Sequence, residues 1–310
     1  MSGMAEATGS RRALTARRKR GTEGNAWSVW MMVPTVVVLV VVIGYPVVQT
    51  FLLSRLKYNF LSPTPPKGIG LLNYVHLAQD PIFWQSLLNT GIYTLGSVAI
   101  AMVLGGLLSL LTENFIGRLR AVKALLLTPW AVPFIVVAFL FRYMFDERGG
   151  VVNALLQSSH LVSSPVTWLN SAARAMPTVM VANIWTQLPF FFLIFAAAVA
   201  GIPKEVVESA RMDQARGWAM IWHIKAPFMR GAALVAGLLM VISNFNDFAK
   251  IWAMTEGGPG YSTTTLIIYV YKLAFTSYDF GYSSAIGVVW LIFLVLFAVL
   301  YIRVMQRSPR

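Results

Sequence analysis

The polar residues best suited to chemistry lie inside long apolar stretches of the sequence. Six of them form two groups, which are Asn183, Trp185 and Gln187, and then Asn244, Asn246 and Asp247. Polar side chains are costly in lipid and usually face a partner helix or a cavity. Amides, one carboxylate and flat aromatic rings suit a neutral, polyhydroxylated ligand, because they offer hydrogen-bond partners and stacking faces without excess charge.

The same residues have a simpler interpretation as packing contacts, in which amides hydrogen-bond across neighbouring helices. That interpretation is the commoner one for any single residue, whereas two clusters together favour a polar path. Asn244 and Asp247 are three residues apart, so on one helix they share a face. Pro129, Pro133 and Pro189 predict kinks in the helices around such a path.

No arrangement of residues in the sequence predicts catalysis. His76, His160 and His223 are far apart and have no metal-ligand spacing, and there is no cysteine to form a disulfide or a thiolate site. The G-x-x-x-x-G-K-[ST] phosphate loop is also missing from the sequence. We therefore expect a protein that is not an enzyme and that needs neither a metal nor a cofactor.

Residues 201–227 form the most polar stretch between two apolar runs. Glu205 and Glu208 fall in the first turns of a predicted helix, where the helix dipole favours acids. Asp213 has the right side chain to cap a second short helix. The stretch predicts a helix-turn-helix at the membrane surface that offers acidic and apolar side chains to another protein.

The amino-acid composition indicates which class of protein positions these polar residues. Hydrophobic residues make up 57% of the chain and charged residues 12%, about half the share that is usual in a soluble domain. Apolar runs of the length that crosses a membrane predict six helical spans, at roughly 29–53, 86–112, 121–145, 175–200, 228–252 and 281–304. The predicted fold is an all-α integral membrane protein with a helix pair between helices 4 and 5.

The distribution of basic residues predicts the orientation in the membrane. Seventeen of the 25 Lys and Arg residues lie on the side of the N-terminus, which places both termini and the 201–227 loop in the cytoplasm. Residues 1–25 then form a disordered basic tail that contacts anionic lipid, followed by a six-span domain over 26–310. The basic excess is thus a topology signal, and we expect no nucleic-acid partner.

Three short segments of the 201–227 loop carry a specific resemblance. They are Glu208-Ser209-Ala210, Asp213-Gln214-Ala215 and Ile224-Lys225-Ala226-Pro227. Their types and spacing resemble the EAA-type loop of bacterial inner-membrane permease subunits of binding-protein-dependent ABC importers, of the carbohydrate type related to the maltose permeases. Gln214 replaces a glycine of that motif, so a left-handed turn there would strain Gln214 or move toward Gly217.

The resemblance implies a division of labour between several proteins. The loop would dock on one of two ATP-binding cassette subunits through Glu208, Ala210, Asp213 and Ala215, with the alanines allowing close approach. A second, homologous permease would complete the pathway, and an extracytoplasmic solute-binding protein would deliver the ligand. The resemblance also implies a sugar as the solute and alternating access as the mechanism.

Other functions stay open at this point. A permease of the same design could carry a glycerol-phosphate-like solute, and then a basic residue should line the path, for which Lys250 is the candidate. A membrane scaffold or a membrane enzyme would need no ATPase at all. The sequence does not name the sugar.

Overall fold

The computed structural model describes residues 30–112 and 120–307, and these ranges are mostly helical. The basic tail predicted for residues 1–25 lies outside them. The helices are α1 (Trp30–Leu53), α2 (Leu72–Gln79), α3 (Pro81–Thr112), α4 (Arg120–Ala131), α5 (Phe134–Met144), α6 (Val151–Ser158), α7 (Ala172–Ala200), α8 (Lys204–Met212), α9 (Trp218–Phe245), α10 (Ala249–Thr255), α11 (Leu266–Thr276) and α12 (Phe280–Arg307). One antiparallel pair of strands joins β1 (Leu56–Lys57) to β2 (Lys67–Gly68).

Within the described ranges, five helices are long and apolar enough to cross a membrane: α1, α3, α7, α9 and α12. The pair α4 and α5 is together apolar enough to count as a sixth span, and its two helices are bent by 106° at a short break. The bend lies at Pro133, which lacks an N–H and disfavours helical geometry at the residue before it. The predicted all-α membrane fold is confirmed, and the third predicted span breaks at Pro133, whereas α4 continues through Pro129. Helix α7 also continues through Pro189.

The fifth span differs from its predicted range of 228–252. Helix α9 begins ten residues earlier, at Trp218, and ends at Phe245, so Asp247 lies beyond it. The prediction that Asn244 and Asp247 share a helix face is therefore wrong. Asn246 follows the last helical residue, and the chain turns there before α10 begins.

The predicted helix-turn-helix of residues 201–227 also needs correction. Helix α8 forms as expected, but the second helix is the beginning of the span α9 and not a separate element. Asp213 does not cap that helix, because the residue before Trp218 is Gly217 and no side chain caps it. Asp213 instead ends α8, where its N–H donates to the carbonyl of Ser209 at 3.1 Å.

The core lies where α3 and α7 pack along each other. Gly105 of α3 allows this approach, since a Cβ there would lie 2.6 Å from the Cβ of Phe191 and 2.9 Å from the amide nitrogen of Phe192. Phe191, Phe195 and Met229 belong to the same buried cluster, which joins α3 and α7 to α9. A second cluster brings α5 and α10 against α7.

We call the end of the spans that carries α8 the inner end, and the opposite end the outer end. At the outer end, Asp80 joins three elements that are distant in sequence. Its Oδ2 accepts hydrogen bonds from the hydroxyls of Tyr269 in α11 and Tyr282 in α12, both at 2.6 Å, and its Oδ1 accepts from the N–H of Ile82 at 2.8 Å. Burial raises the pKa of Asp80, but these hydrogen bonds outweigh it and hold the pKa below its ordinary value of 3.8.

We predict that Asp80→Asn lowers the free energy of unfolding by about 1–2 kcal/mol at neutral pH, because hydrogen bonds to a charged acceptor become neutral ones. The lowered pKa means that this stability is present above the pKa of the unfolded chain and is lost as the pH falls through that of the folded protein. Thermal unfolding in detergent from pH 7 down to pH 3 measures both effects. The difference between the two proteins should shrink at the acidic end.

Asp146→Asn is a matched control, because the Oδ1 of the exposed Asp146 side chain accepts from the nearby N–H groups of Arg148 and Gly149 and joins no distant elements among the described residues. If Asp80→Asn unfolds no earlier than this control at pH 7, the assignment of Asp80 as a link between α3, α11 and α12 is wrong.

Candidate functional site

A cavity of about 370 Å³ opens between α4, α5, α7, α9 and α10. Its polar lining contains five of the six residues singled out from the sequence, and these are Asn183, Gln187, Asn244, Asn246 and Asp247. Helix α7 supplies the first two, the end of α9 supplies Asn244, and the turn after α9 supplies the others. The cavity therefore brings residues of the two sequence groups together.

Three buried amides form a network across the wall of the cavity. The Nδ2 of Asn183 donates to the Oδ1 of Asn244 at 2.6 Å, and the Nε2 of Gln187 donates to the same oxygen at 3.2 Å. The Nδ2 of Asn244 donates in turn to the Oε1 of Gln187 at 3.1 Å. These bonds join α7 to α9, so the packing interpretation and the cavity interpretation both describe these residues.

An ion pair forms beside this network, in the turn between α9 and α10. The Nζ of Lys250 lies 2.7 Å from the Oδ2 of Asp247, and both side chains are almost fully buried. The hydroxyl of Tyr93 in α3 donates to the same carboxylate oxygen. Since Asp247 neutralises Lys250, the cavity wall has hydrogen-bonding groups but no uncompensated charge at this point.

Aromatic rings line the remainder of the cavity, namely those of Trp130, Phe134, Phe190 and Phe248. The Lys250 ammonium lies 4.6 Å from the centre of the Phe134 ring. Behind Phe248, the rings of Trp252 and Tyr271 lie 5.4 and 4.7 Å from it, centre to centre. Flat aromatic rings can stack on the face of a polyhydroxylated ligand, and the amides can hydrogen-bond to its hydroxyl groups.

Sequence analysis missed Trp130 and Phe134, although a signal for them was present. Both flank the break at Pro133, and a break in a span is where side chains of two helices can turn toward one space. Trp185, which sequence analysis grouped with Asn183 and Gln187, is not among the residues that line the cavity. Its ring lies 5.7 Å from that of Phe141 in α5.

At the inner end, α8 presents an exposed face that carries both charge and apolar surface. Glu205, Glu208 and Met212 lie one turn apart and are all exposed, with Met212 at 84%. Ala210, expected to face a partner, is instead buried at 7% exposure, so it packs inside this chain. Ala215 is half-buried, and its N–H donates to the carbonyl of Ala210 at 2.9 Å.

The turn after α8 has two residues in the left-handed region. Gln214 has φ 59° and Gly217 has φ 52°. The sequence left open whether the turn would strain Gln214 or move toward Gly217, and both positions have a positive φ. Asp213 is exposed between them and α8. Helix α9 then begins at Trp218 and continues into the span without a break.

These features agree with a comparison of the sequence with known protein families. Residues 102–309 match the family described as the binding-protein-dependent transport system inner membrane component. The chain belongs to this family. It is therefore a multi-pass inner-membrane permease component of an ABC importer.

Individual relatives cover nearly all of the permease. It is 32% identical over 278 residues to the trehalose/maltose transport system permease protein MalF of Thermococcus litoralis, covering 88% of this chain and 92% of that one. It is 30% identical over 279 residues to the sulfoquinovosyl glycerol transport system permease protein SmoG of Agrobacterium fabrum, covering 90% of each.

Among solved structures, the permease resembles a chain of a bacterial ABC transporter that imports the acidic polysaccharide alginate. The TM-score is 0.79, with 95% of this chain and 100% of that chain covered. The sequence identity is 21%, so this likeness shows a shared fold.

We predict that Lys250→Met lowers the free energy of unfolding by about 3–5 kcal/mol, because it leaves Asp247 buried without a counter-charge. The double variant Asp247→Asn, Lys250→Met should recover most of that loss, since it removes both charges. Thermal and denaturant unfolding of the wild type, Asp247→Asn, Lys250→Met and the double variant in the same detergent measures the coupling.

Lys272→Met is the control, because the Lys272 ammonium forms no ion pair among the described residues and the Glu256 carboxylate attracts it only at longer range. If the double variant loses as much free energy of unfolding as the two single variants together, Asp247 and Lys250 do not compensate each other.

Proposed function

We propose that this permease forms half of the translocation pathway for a neutral oligosaccharide or related polyol, and that it moves the solute by alternating access. The supporting observation is the cavity, where buried amides, aromatic rings and a neutralised ion pair meet between the spans. A hydroxylated solute needs many hydrogen-bond partners and flat apolar faces, and it needs no net charge. Transport of trehalose and maltose is named for one relative of similar length.

The charge balance of the cavity favours a neutral solute over a glycerol-phosphate-like one. An anion in this cavity would need a basic partner, and Lys250 is the cation that lines it. Its ammonium is already held by Asp247 at 2.7 Å, so recruiting it for a phosphate would leave the buried carboxylate uncompensated. The anionic alternative is therefore the second candidate.

The energy for transport would enter through α8. Its exposed face of Glu205, Glu208 and Met212 combines acids with a protruding apolar side chain, a combination suited to docking on another protein. Because α9 runs from Trp218 to Phe245, with a π-helical stretch at Ile221–Lys225, a movement of the turn at Gln214 would pass along this helix to Asn244 in the cavity wall.

The proposed assembly follows from this division of labour. Two ATP-binding cassette subunits would bind α8 and its counterpart on a second, homologous permease, with both termini of this chain in the cytoplasm. A solute-binding protein would dock at the outer end. ATP hydrolysis belongs to the partner subunits in this proposal, and Glu208, Asp213 and Ala215 act in coupling.

Glu208→Lys should abolish solute uptake and the stimulation of ATP hydrolysis by the solute-binding protein, because it reverses the charge on the docking face of α8. Uptake into proteoliposomes that contain the complete importer is the measurement, with membrane insertion checked separately. Glu147→Lys makes the same charge change at the outer end and should leave coupling intact. Normal uptake by the Glu208 variant would contradict the coupling role.

Asn246→Ala should raise the solute concentration that half-saturates uptake about tenfold, which corresponds to one lost hydrogen bond of about 1.4 kcal/mol. Asn246 lines the cavity, and it is exposed and lies outside the amide network, so the fold should tolerate the change. The measurement compares neutral disaccharides with glycerol phosphate, using Gln157→Ala, an exposed amide elsewhere, as the control. Uptake of glycerol phosphate alone would favour the second candidate.

A further inference from the structure

A second polar cavity, of about 740 Å³, lies at the outer end of the permease, away from the candidate solute site. It is bounded by the β1–β2 pair, by α2 and by the beginning of α12. Its charged and titratable lining consists of Lys57, Lys67, His76, Asp80, Asp279 and Tyr282. We call it the outer cavity. None of these residues has a part in the transport steps described above.

Two lysines of the outer cavity face each other across the strands. Lys57 of β1 pairs directly with Lys67 of β2, so two like charges stand opposite each other on an exposed ladder. Such a pair destabilises a two-stranded ribbon. In the part of the chain that the structure describes, no carboxylate lies within ion-pairing distance of either ammonium. The fold itself therefore gives no reason for this pair of charges.

The two acids of the outer cavity are already engaged elsewhere. Asp80 accepts from the hydroxyls of Tyr269 and Tyr282 and from the N–H of Ile82, as described above. Asp279 uses its Oδ1 to accept the N–H of Tyr282 at 3.0 Å, at the start of α12. Each lysine ammonium has three N–H donors. The outer cavity thus has unused donors and cations on its strand side.

The surroundings of the outer cavity form a firm surface with apolar side chains. The loop after β1 is fixed to the turn before α12, since the N–H of Phe60 donates to the carbonyl of Tyr278 at 2.9 Å and the N–H of Gly281 donates to that of Tyr58 at 3.0 Å. Phe60 and Leu61 are 63% and 68% exposed. Exposed apolar side chains beside unpaired charges are typical of a protein docking surface.

We propose that the outer cavity receives an acidic side chain of the solute-binding protein, with Lys57 and Lys67 pairing with its carboxylate. This inference rests on the proposed function, in which such a protein docks at the outer end. The carboxylate would relieve the repulsion between the two ammoniums as it binds. Phe60 and Leu61 would contact apolar surface around it, so that docking combines a central charge contact with an apolar rim.

The charge of Lys57 and Lys67 also indicates which property of docking this contact would affect. Charged groups across an interface mainly raise the rate and the specificity of association, and their effect weakens with added salt. A solute-binding protein must arrive, deliver its ligand and leave in every cycle, so a salt-sensitive contact suits it better than a large apolar interface.

The test uses the complete importer in nanodiscs, with ATP hydrolysis measured against increasing concentrations of its solute-binding protein. For Lys57→Glu, Lys67→Glu we expect the half-stimulating concentration to rise at least tenfold at low salt, while hydrolysis without the binding protein stays unchanged. The wild-type value should rise with salt, and the variant should lose that dependence. Lys57→Gln, Lys67→Gln should give an intermediate effect without introducing new charges.

Arg55→Glu is the matched control, because Arg55 is an exposed cation next to β1 that does not line the outer cavity. Equal half-stimulating concentrations for the wild type, the lysine variants and Arg55→Glu would overturn the inference. So would a lysine variant that loses the second permease on purification, since the cavity would then bind that subunit. Absence of any stimulation of the wild type would instead contradict the proposed function.

Discussion

The structure depends on one constraint, which is that polar groups inside a membrane must find their partners within the protein. Asn183, Gln187 and Asn244 satisfy one another across α7 and α9, and Asp247 is satisfied by Lys250 and Tyr93. These pairings hold three spans together at the place where α9 stops. Because the groups are paired and yet line a cavity, they form a polar wall that is stable without solute and still has hydrogen-bonding capacity to offer.

The sequence predicted the features that depend on local chemistry. Apolar run lengths predicted the spans, and Pro133 breaks the third predicted span as expected. The end of α9 could not be predicted, because Asn246 and Asp247 have no helix-breaking residue among them. Asp247 instead accepts a hydrogen bond from Tyr93, which lies 154 residues away in the sequence, and the local sequence cannot indicate a contact over that distance.

The candidate site likewise has residues that the local sequence predicts and residues that only the tertiary structure brings to it. The polar residues could be selected because amides and acids are rare in apolar runs, whereas Trp130 and Phe134 resemble any other apolar residue until the 106° bend places them at the cavity. The links made by Asp80 were equally hidden, since they span 189 and 202 residues. The mistaken cap at Asp213 arose because a suitable side chain was present, while Gly217 and Gln214 set the actual turn.

The break between α4 and α5 has a consequence for how such a permease changes during evolution. The last carbonyls of a helix have no partner within that helix, and Pro133, just beyond the end of α4 at Ala131, has no N–H to give them. Trp130 and Phe134 place this break beside the cavity. Main-chain oxygens survive any exchange of side chain, so under the proposed function this break would keep hydrogen-bond acceptors next to the solute path however the lining side chains vary.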